Sequence, residues 1–224
     1  MLLVAIKSCL VDLDRGCHDV IRSTWGAALR GRALLRFFVG AETDGRTSRV
    51  YKSDEVVVDA PNDYHSLPFK TRAICQWALG KNTTNLFLAD NDTYVHVPKL
   101  LNPEYLRYDY VGKISRPLGE TFSYDAVNRS GVIEHIDNCY PWASGGFGYF
   151  LSRDAANTIA DKFPQGWAED LWVGQVLGPE IAKGDLSALD VPANTYSLHY
   201  PSHLFKKGYD PADKWMETIH NTHS

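Results

Sequence analysis

Asn85-Leu86-Phe87-Leu88-Ala89-Asp90-Asn91-Asp92-Thr93-Tyr94-Val95 is the stretch on which the fold turns. A short apolar run bounded by polar turn formers predicts a buried strand over Asn85–Ala89. Its end presents two carboxylates, Asp90 and Asp92, separated by Asn91 at the rim of a sheet. In open α/β sheets that rim is where ligands bind. Hard divalent cations take carboxylate oxygens and share their coordination with substrate phosphates. The tripeptide is therefore a candidate metal–diphosphate clamp. By itself it also serves as a plain turn, since Asp and Asn favour turn positions. The surrounding chain decides between the two.

On either side of this strand, apolar strand-like runs alternate with helical patterns. Strands are predicted over Leu2–Ile6, Ala33–Val39, Glu55–Val58, Asp109–Ile114 and Phe147–Leu151. Helices are predicted over Asp19–Leu29, Tyr64–Leu79, Val97–Leu101, Asp154–Lys162 and Glu169–Leu177, with Asn62-Asp63 as a cap and Gly80 as a stop. Residues 115–140 read as a polar hairpin or a loop over a cleft. The last thirty or so residues are weakly periodic. Alternating β and α elements with short joints predict one α/β domain, a mostly parallel sheet flanked by helices.

Composition narrows the function classes. The 224 residues suffice for one full core, and 44% hydrophobic with 22% charged residues is ordinary for a globular protein. A net charge of −4 supplies no broad cationic field, so nucleic acid is not an expected partner. No apolar run approaches the roughly 18 residues of a membrane span, and Met1–Ile6, interrupted by Lys7, reads as a strand. The four cysteines form no CxxC pair, which argues against zinc and requires no disulfide. Asn82-Thr83-Thr84, Asn91-Asp92-Thr93 and Asn128-Arg129-Ser130 fit the glycosylation pattern. A glycan on Asn91 would block the clamp, which favours a chain that never meets the secretory machinery.

Five segments resemble β-1,3-galactosyltransferase and fringe-like glycosyltransferases. Ile21-Arg22-Ser23-Thr24-Trp25 resembles their Arg-x-Thr-Trp signature, and Asp63–Thr71 is similar to their Asp-x-Tyr-x-Asn-Leu-Thr-x-Lys-Thr. Phe87–Val95 resembles their Asp-Asp-Asp segment, and Tyr140–Tyr149 their Gly-Gly strand. Glu169-Asp170-Leu171-Trp172-Val173-Gly174 is similar to their Glu-Asp-Val-x-x-Gly. The segments fall in family order over about residues 20–178. The resemblance implies a GT-A fold, Mn²⁺ or Mg²⁺, a UDP-sugar donor and a glycan acceptor, with inversion at the transferred carbon. It also implies a nucleotide-sugar half over about residues 1–95 and an acceptor half over about 96–224. Asn91 departs from the pattern by replacing the middle Asp, as does Pro68. The family's usual membrane anchor and stem do not occur in this sequence. The expectation is a cytoplasmic microbial or viral enzyme, or a soluble domain of a longer chain.

Roles follow from chemistry and resemblance together. Asp92 leads as the metal ligand, with Asp90 next. By resemblance, Asp90 or Asn91 instead holds the ribose or a metal-bound water. Ser197-Leu198-His199 resembles the segment in which fringe-like members place a metal-reaching histidine, and imidazole suits Mn²⁺. His203 is the spare. Asp170 opens a helix, where the macrodipole favours a carboxylate, and the resemblance makes it the general base, with Glu169 beside it. Arg22 and Lys70 match phosphate charge. Ser8 follows the first strand, where a nucleotide docks in such folds. Gly145 and Gly146 allow close approach of a sugar, and Trp142 or Trp167 offers a stacking face. The rival readings are a non-catalytic glycan or nucleotide-sugar binding module, and a nucleotidyltransferase or nucleotide-sugar hydrolase.

Overall fold

The computed structural model describes residues 1–41, 49–116, 121–127, 133–199 and 212–223. The strands are β1 (Leu2–Lys7), β2 (Leu34–Gly40), β3 (Glu55–Val58), β4 (Asn85–Asp90), β5 (Thr93–Val95), β6 (Tyr110–Gly112) and β7 (Ile114–Ser115). They continue as β8 (Phe122–Val127), β9 (Ile133–Asn138), β10 (Trp142–Ala143), β11 (Tyr149–Ser152), β12 (Ala188–Asp190) and β13 (Ser197–His199). The α-helices are α1 (Leu10–Asp14), α2 (Cys17–Ser23), α3 (Leu67–Leu79), α4 (Val97–Leu100), α5 (Arg153–Ala160), α6 (Glu169–Lys183) and α7 (Ala212–His223).

Seven strands form one sheet in the order β12-β6-β11-β4-β1-β2-β3. Only β11 runs against its neighbours, so the sheet is mostly parallel, as expected. Side chains alternate faces along each strand. Leu3, Ala5, Leu86 and Leu88 join one core with residues of α3, α5 and α6. Val4, Ile6, Phe87 and Ala89 join the other with Ile21, Trp25, Tyr196 and Met216. Because both faces are covered, the central strands read as unbroken apolar runs.

Several predicted elements change at their ends. The helix expected over Asp19–Leu29 splits into α2 and a 3₁₀ turn, Trp25–Leu29. Thr24 between them is non-helical (φ −102°, ψ −121°), and its hydroxyl donates to the Val20 carbonyl at 2.7 Å. The predicted strand Asp109–Ile114 divides into β6, in the main sheet, and β7, which pairs with β10. Asn62 does not cap α3. It accepts from the Gly40 N–H at 2.8 Å and donates to the Ala41 carbonyl at 3.0 Å, pinning the end of β2. α6 runs beyond Leu177, through Pro179, to a left-handed Gly184 (φ +86°). Gly178 makes this path possible, since a Cβ there would lie 2.3 Å from the Tyr140 ring. Residues 115–140 contain an antiparallel hairpin, β8 with β9. The weakly periodic C-terminal region carries α7, whose Met216 is buried against α2. Among the described residues no helix is long and apolar enough to cross a membrane.

Candidate functional site

The register of the sheet assembles the site. β1 pairs with β4 so that Lys7 lies opposite Asp90, at the carboxyl ends of two parallel strands. Lys7 is buried, and its Nζ meets Asp90 Oδ1 at 3.2 Å and Glu169 Oε2 at 2.9 Å. Burial acts to lower its pKa, but the two carboxylates outweigh it and hold the ammonium charged. Glu169 is engaged on both oxygens. Besides Lys7 it accepts from the Thr71 hydroxyl at 2.8 Å and from the Tyr149 hydroxyl. It therefore faces inward and ties α6 to β1, α3 and β11.

Asp170, the next residue, has different partners. Its Oδ2 accepts from the Gly145 N–H at 3.1 Å and its Oδ1 from the Leu171 N–H at 2.9 Å. Burial, and then the Glu169 charge, raise its pKa, opposed by the Gly145 N–H and by Lys7. A positioned carboxylate with elevated basicity can accept a proton from a substrate hydroxyl.

Asp92 follows β4, and the pairing of β13 with β5 sets His199 opposite Thr93, beside it. His199 Nδ1 lies 3.7 Å from Asp92 Oδ1. Both atoms are buried and neither has a hydrogen-bond partner. Burial first, and then the like charge of Asp90, push the Asp92 carboxyl up to about 6, with His199 opposing. Two orphaned buried atoms facing each other are costly unless a further group satisfies them. A divalent cation fits that role, since carboxylate oxygen and imidazole nitrogen are both metal ligands. Among the described residues no three His, Cys, Asp or Glu side chains form a metal-holding group. An ion here would complete its shell with water and substrate phosphate, as Mg²⁺ commonly does. His203 lies outside the described residues.

The turn Gly145–Phe147 lies between Asp170 and His199. Gly145 contacts Asp170, and the Gly146 carbonyl accepts from the Thr93 hydroxyl at 3.1 Å. A Cβ on Gly146 would lie 2.8 to 2.9 Å from His199 ring atoms. Gly146→Ala is thus expected to cost about 1–3 kcal/mol of stability and to push the His199 ring from Asp92. Thermal melting with and without Mn²⁺ checks this. An unchanged Mn²⁺-induced shift in the melting temperature would count against it.

A cavity of about 300 Å³ opens at this rim. Lys7, Ser8, Lys70, Asp90, Asn91 and Asp92 line it, together with the exposed Tyr64. The Lys70 Nζ donates to the Ser8 carbonyl, and burial lowers its pKa. Ser8 Oγ is 3.2 Å from Asn91 Nδ2. Trp167 lies against Tyr64, ring centroids 5.7 Å apart. The structure does not bring Arg22 to this cavity. Its guanidinium is occupied by Asp19, Asp54 and Glu55 at 2.6 to 2.8 Å and lies over the Phe37 ring. Trp142, packed against Gly174 of α6, is also absent from the lining. Sequence reasoning missed Lys7 as the central cation and Tyr149 as its neighbour. The available signal was a lysine closing an otherwise apolar strand.

Known proteins place this geometry in context. The β-1,3-galactosyltransferase GALT1 of Arabidopsis thaliana is 27% identical over 165 residues, which are 65% of this chain and 25% of that protein. The chain thus spans about a quarter of the length of this curated relative. HddC from Yersinia pseudotuberculosis is similar with a TM-score of 0.49 at 12% identity, over 96% of this chain and 100% of that one. A glycosyltransferase involved in glycosylation of the major capsid of PBCV-1 gives a TM-score of 0.48 at 14% identity, over 96% and 99%. The galactosyltransferase family model matches residues 17–180 of the 224, and the chain belongs to that family.

Proposed function

We propose that the chain is a metal-dependent, inverting glycosyltransferase that moves a sugar from a UDP-sugar to a glycan hydroxyl. Family membership makes galactose the default donor sugar, with GlcNAc, glucose and rhamnose as alternatives. The observation carrying the proposal is the pair of orphaned buried atoms, Asp92 Oδ1 and His199 Nδ1, at the rim that the Asp90-Asn91-Asp92 strand end presents. Asp92 and His199 would hold Mn²⁺ or Mg²⁺, with Asp90 nearby. Bound there, the cation supplies Lewis-acid stabilisation of a leaving diphosphate.

The remaining work falls to the chain. Lys70 and Lys7 bring positive charge to the cavity, and Ser8 and Asn91 offer polar contacts to the nucleotide. Asp170, held by the Gly145 N–H, accepts the proton of the acceptor hydroxyl as that oxygen attacks the anomeric carbon. Attack opposite the departing diphosphate inverts the configuration. The Gly145-Gly146 turn keeps side chains out of the space between base and metal ligands.

UDP release from a panel of UDP-sugars tests the proposal, run with Mn²⁺ or with a chelator, and with or without glycan acceptors. Release that needs both metal and acceptor is expected. Wild-type release should exceed that of Asp92→Ala by about 100-fold or more. Release indifferent to acceptor would favour a hydrolase. Binding without any release would favour a glycan or nucleotide-sugar binding module. Full activity in chelator would refute the metal role.

A further inference from the structure

Ser8 lies at the cavity, and a chain of buried side chains determines which way its hydroxyl can bond. Glu55 Oε1 accepts from Arg22 Nη2 at 2.7 Å, and its Oε2 from the Lys52 N–H at 2.8 Å. Burial acts to raise the Glu55 pKa, but these donors hold it low, so the carboxylate is an acceptor only. His18 Nδ1 lies 3.1 Å from Glu55 Oε1 and must therefore carry the proton of that bond. The His18 ring is buried and stacked on Phe37 at 4.3 Å and 18°. Burial, outweighing the neighbouring charges, keeps its pKa below the ordinary histidine value, so the ring is neutral and Nε2 is bare. Ser8 Oγ, 2.8 Å away, then donates its only hydrogen to Nε2. Toward every other group Ser8 Oγ can only accept. That forces Asn91 to turn its NH₂ to Ser8, which frees the Asn91 carbonyl as a second acceptor. Ser8 and Asn91 both line the cavity, whereas Glu55 and His18 do not.

We propose that Glu55 and His18 are positioning residues that fix Ser8 and Asn91 as hydrogen-bond acceptors toward the donor nucleotide. The acceptor pair selects a hydrogen-bond-donating edge of the nucleoside, either the imide N–H of uracil or the ribose hydroxyls. A cytosine ring, which presents a bare nitrogen at the imide position, is rejected in the first case. A nucleoside lacking the hydroxyls is rejected in the second. This selection rests on the nucleotide-sugar reading above.

Calorimetric binding of UDP, CDP and 2′,3′-dideoxy-UDP with Mn²⁺ tests it in wild type, His18→Phe and His18→Gln. Wild type is expected to prefer UDP over one of the analogues by about tenfold or more, and that analogue identifies the donating edge. His18→Phe keeps the stack on Phe37 but frees the Ser8 hydrogen, so the preference should fall to about twofold or less. His18→Gln retains a donor and an acceptor and should recover part of it. Nitrogen-15 NMR of wild type should find His18 protonated on Nδ1 and bare on Nε2, a readout that does not depend on any variant folding. UDP bound no better than both analogues, an undiminished preference in His18→Phe, or an Nε2-protonated ring would each overturn the relay while leaving the enzyme proposal intact. Absence of UDP binding by wild type would overturn both.

Discussion

Asp170→Asn is expected to fold like wild type and to lose transfer by about 10²–10⁴-fold, the usual contribution of a general base. The amide is nearly isosteric and its oxygen can still accept from the Gly145 N–H, while its NH₂ cannot accept from the Leu171 N–H, so one of the two local bonds is given up. Its oxygen is too weakly basic to take a proton from a hydroxyl. The loss should appear in kcat with little change in the affinity for UDP, because the proton moves only in the transition state. Burial raises the pKa of Asp170 above its ordinary value of 3.8. The base works unprotonated, so kcat/KM should fall as pH drops through that raised pKa, on a limb displaced upward from 3.8. Near-normal turnover by Asp170→Asn would eliminate the assignment. Glu169 provides the contrast: its carboxylate is committed to Lys7, Thr71 and Tyr149.

The largest stability loss is expected from Lys7→Met. The substitution retains an apolar stem but leaves Glu169 ionised and buried with only neutral donors. Breaking a buried pair by removing one partner costs about 3–5 kcal/mol. For a chain of this size that is a fall in Tm of roughly 6–20 °C. Most of the loss belongs to Glu169, whose side chain is 4% exposed, rather than to Asp90 at 31%, where solvent screens the charge. Adding Glu169→Gln to Lys7→Met should therefore restore part of the stability, whereas adding Asp90→Asn should restore little. Denaturant melts of the single and double variants measure this cycle. A loss below about 1 kcal/mol for Lys7→Met would show that the Lys7–Glu169 pair does not tie α6 to β1.

The apolar runs around Phe87 and Val4 were legible because burial of a strand depends on its own residues and their alternation. The strand-end carboxylates, the glycine segment and the acidic start of α6 were legible through their resemblance to family segments in the same order, since periodicity alone reads them as a turn, a bulge and a plain helix start. Less visible were the breaks. Thr24 and Gly26 interrupt a pattern that looks helical, because Gly26 sits against the Ile21 carbonyl, where a Cβ would be 2.5 Å away. α6 continues past Pro179, and Gly178 lets it pack closely on Tyr140. Neither contact has a local signature.

The sequence by itself determined the alternation of elements, the mostly parallel sheet and the chemical kinds of residue at its rim. Only the tertiary structure decided their employment. Strand register set Lys7 against Asp90, and β13 brought His199 to Asp92 from far along the chain. The packing of α6 turned Glu169 inward and left Asp170 at the glycine turn. Arg22, a plausible phosphate ligand by type, was claimed by Asp54 and Glu55 at β3. Local periodicity reports which face of an element is buried. It carries no record of which charge another strand will bring alongside, and at this rim those pairings set each side chain's partners.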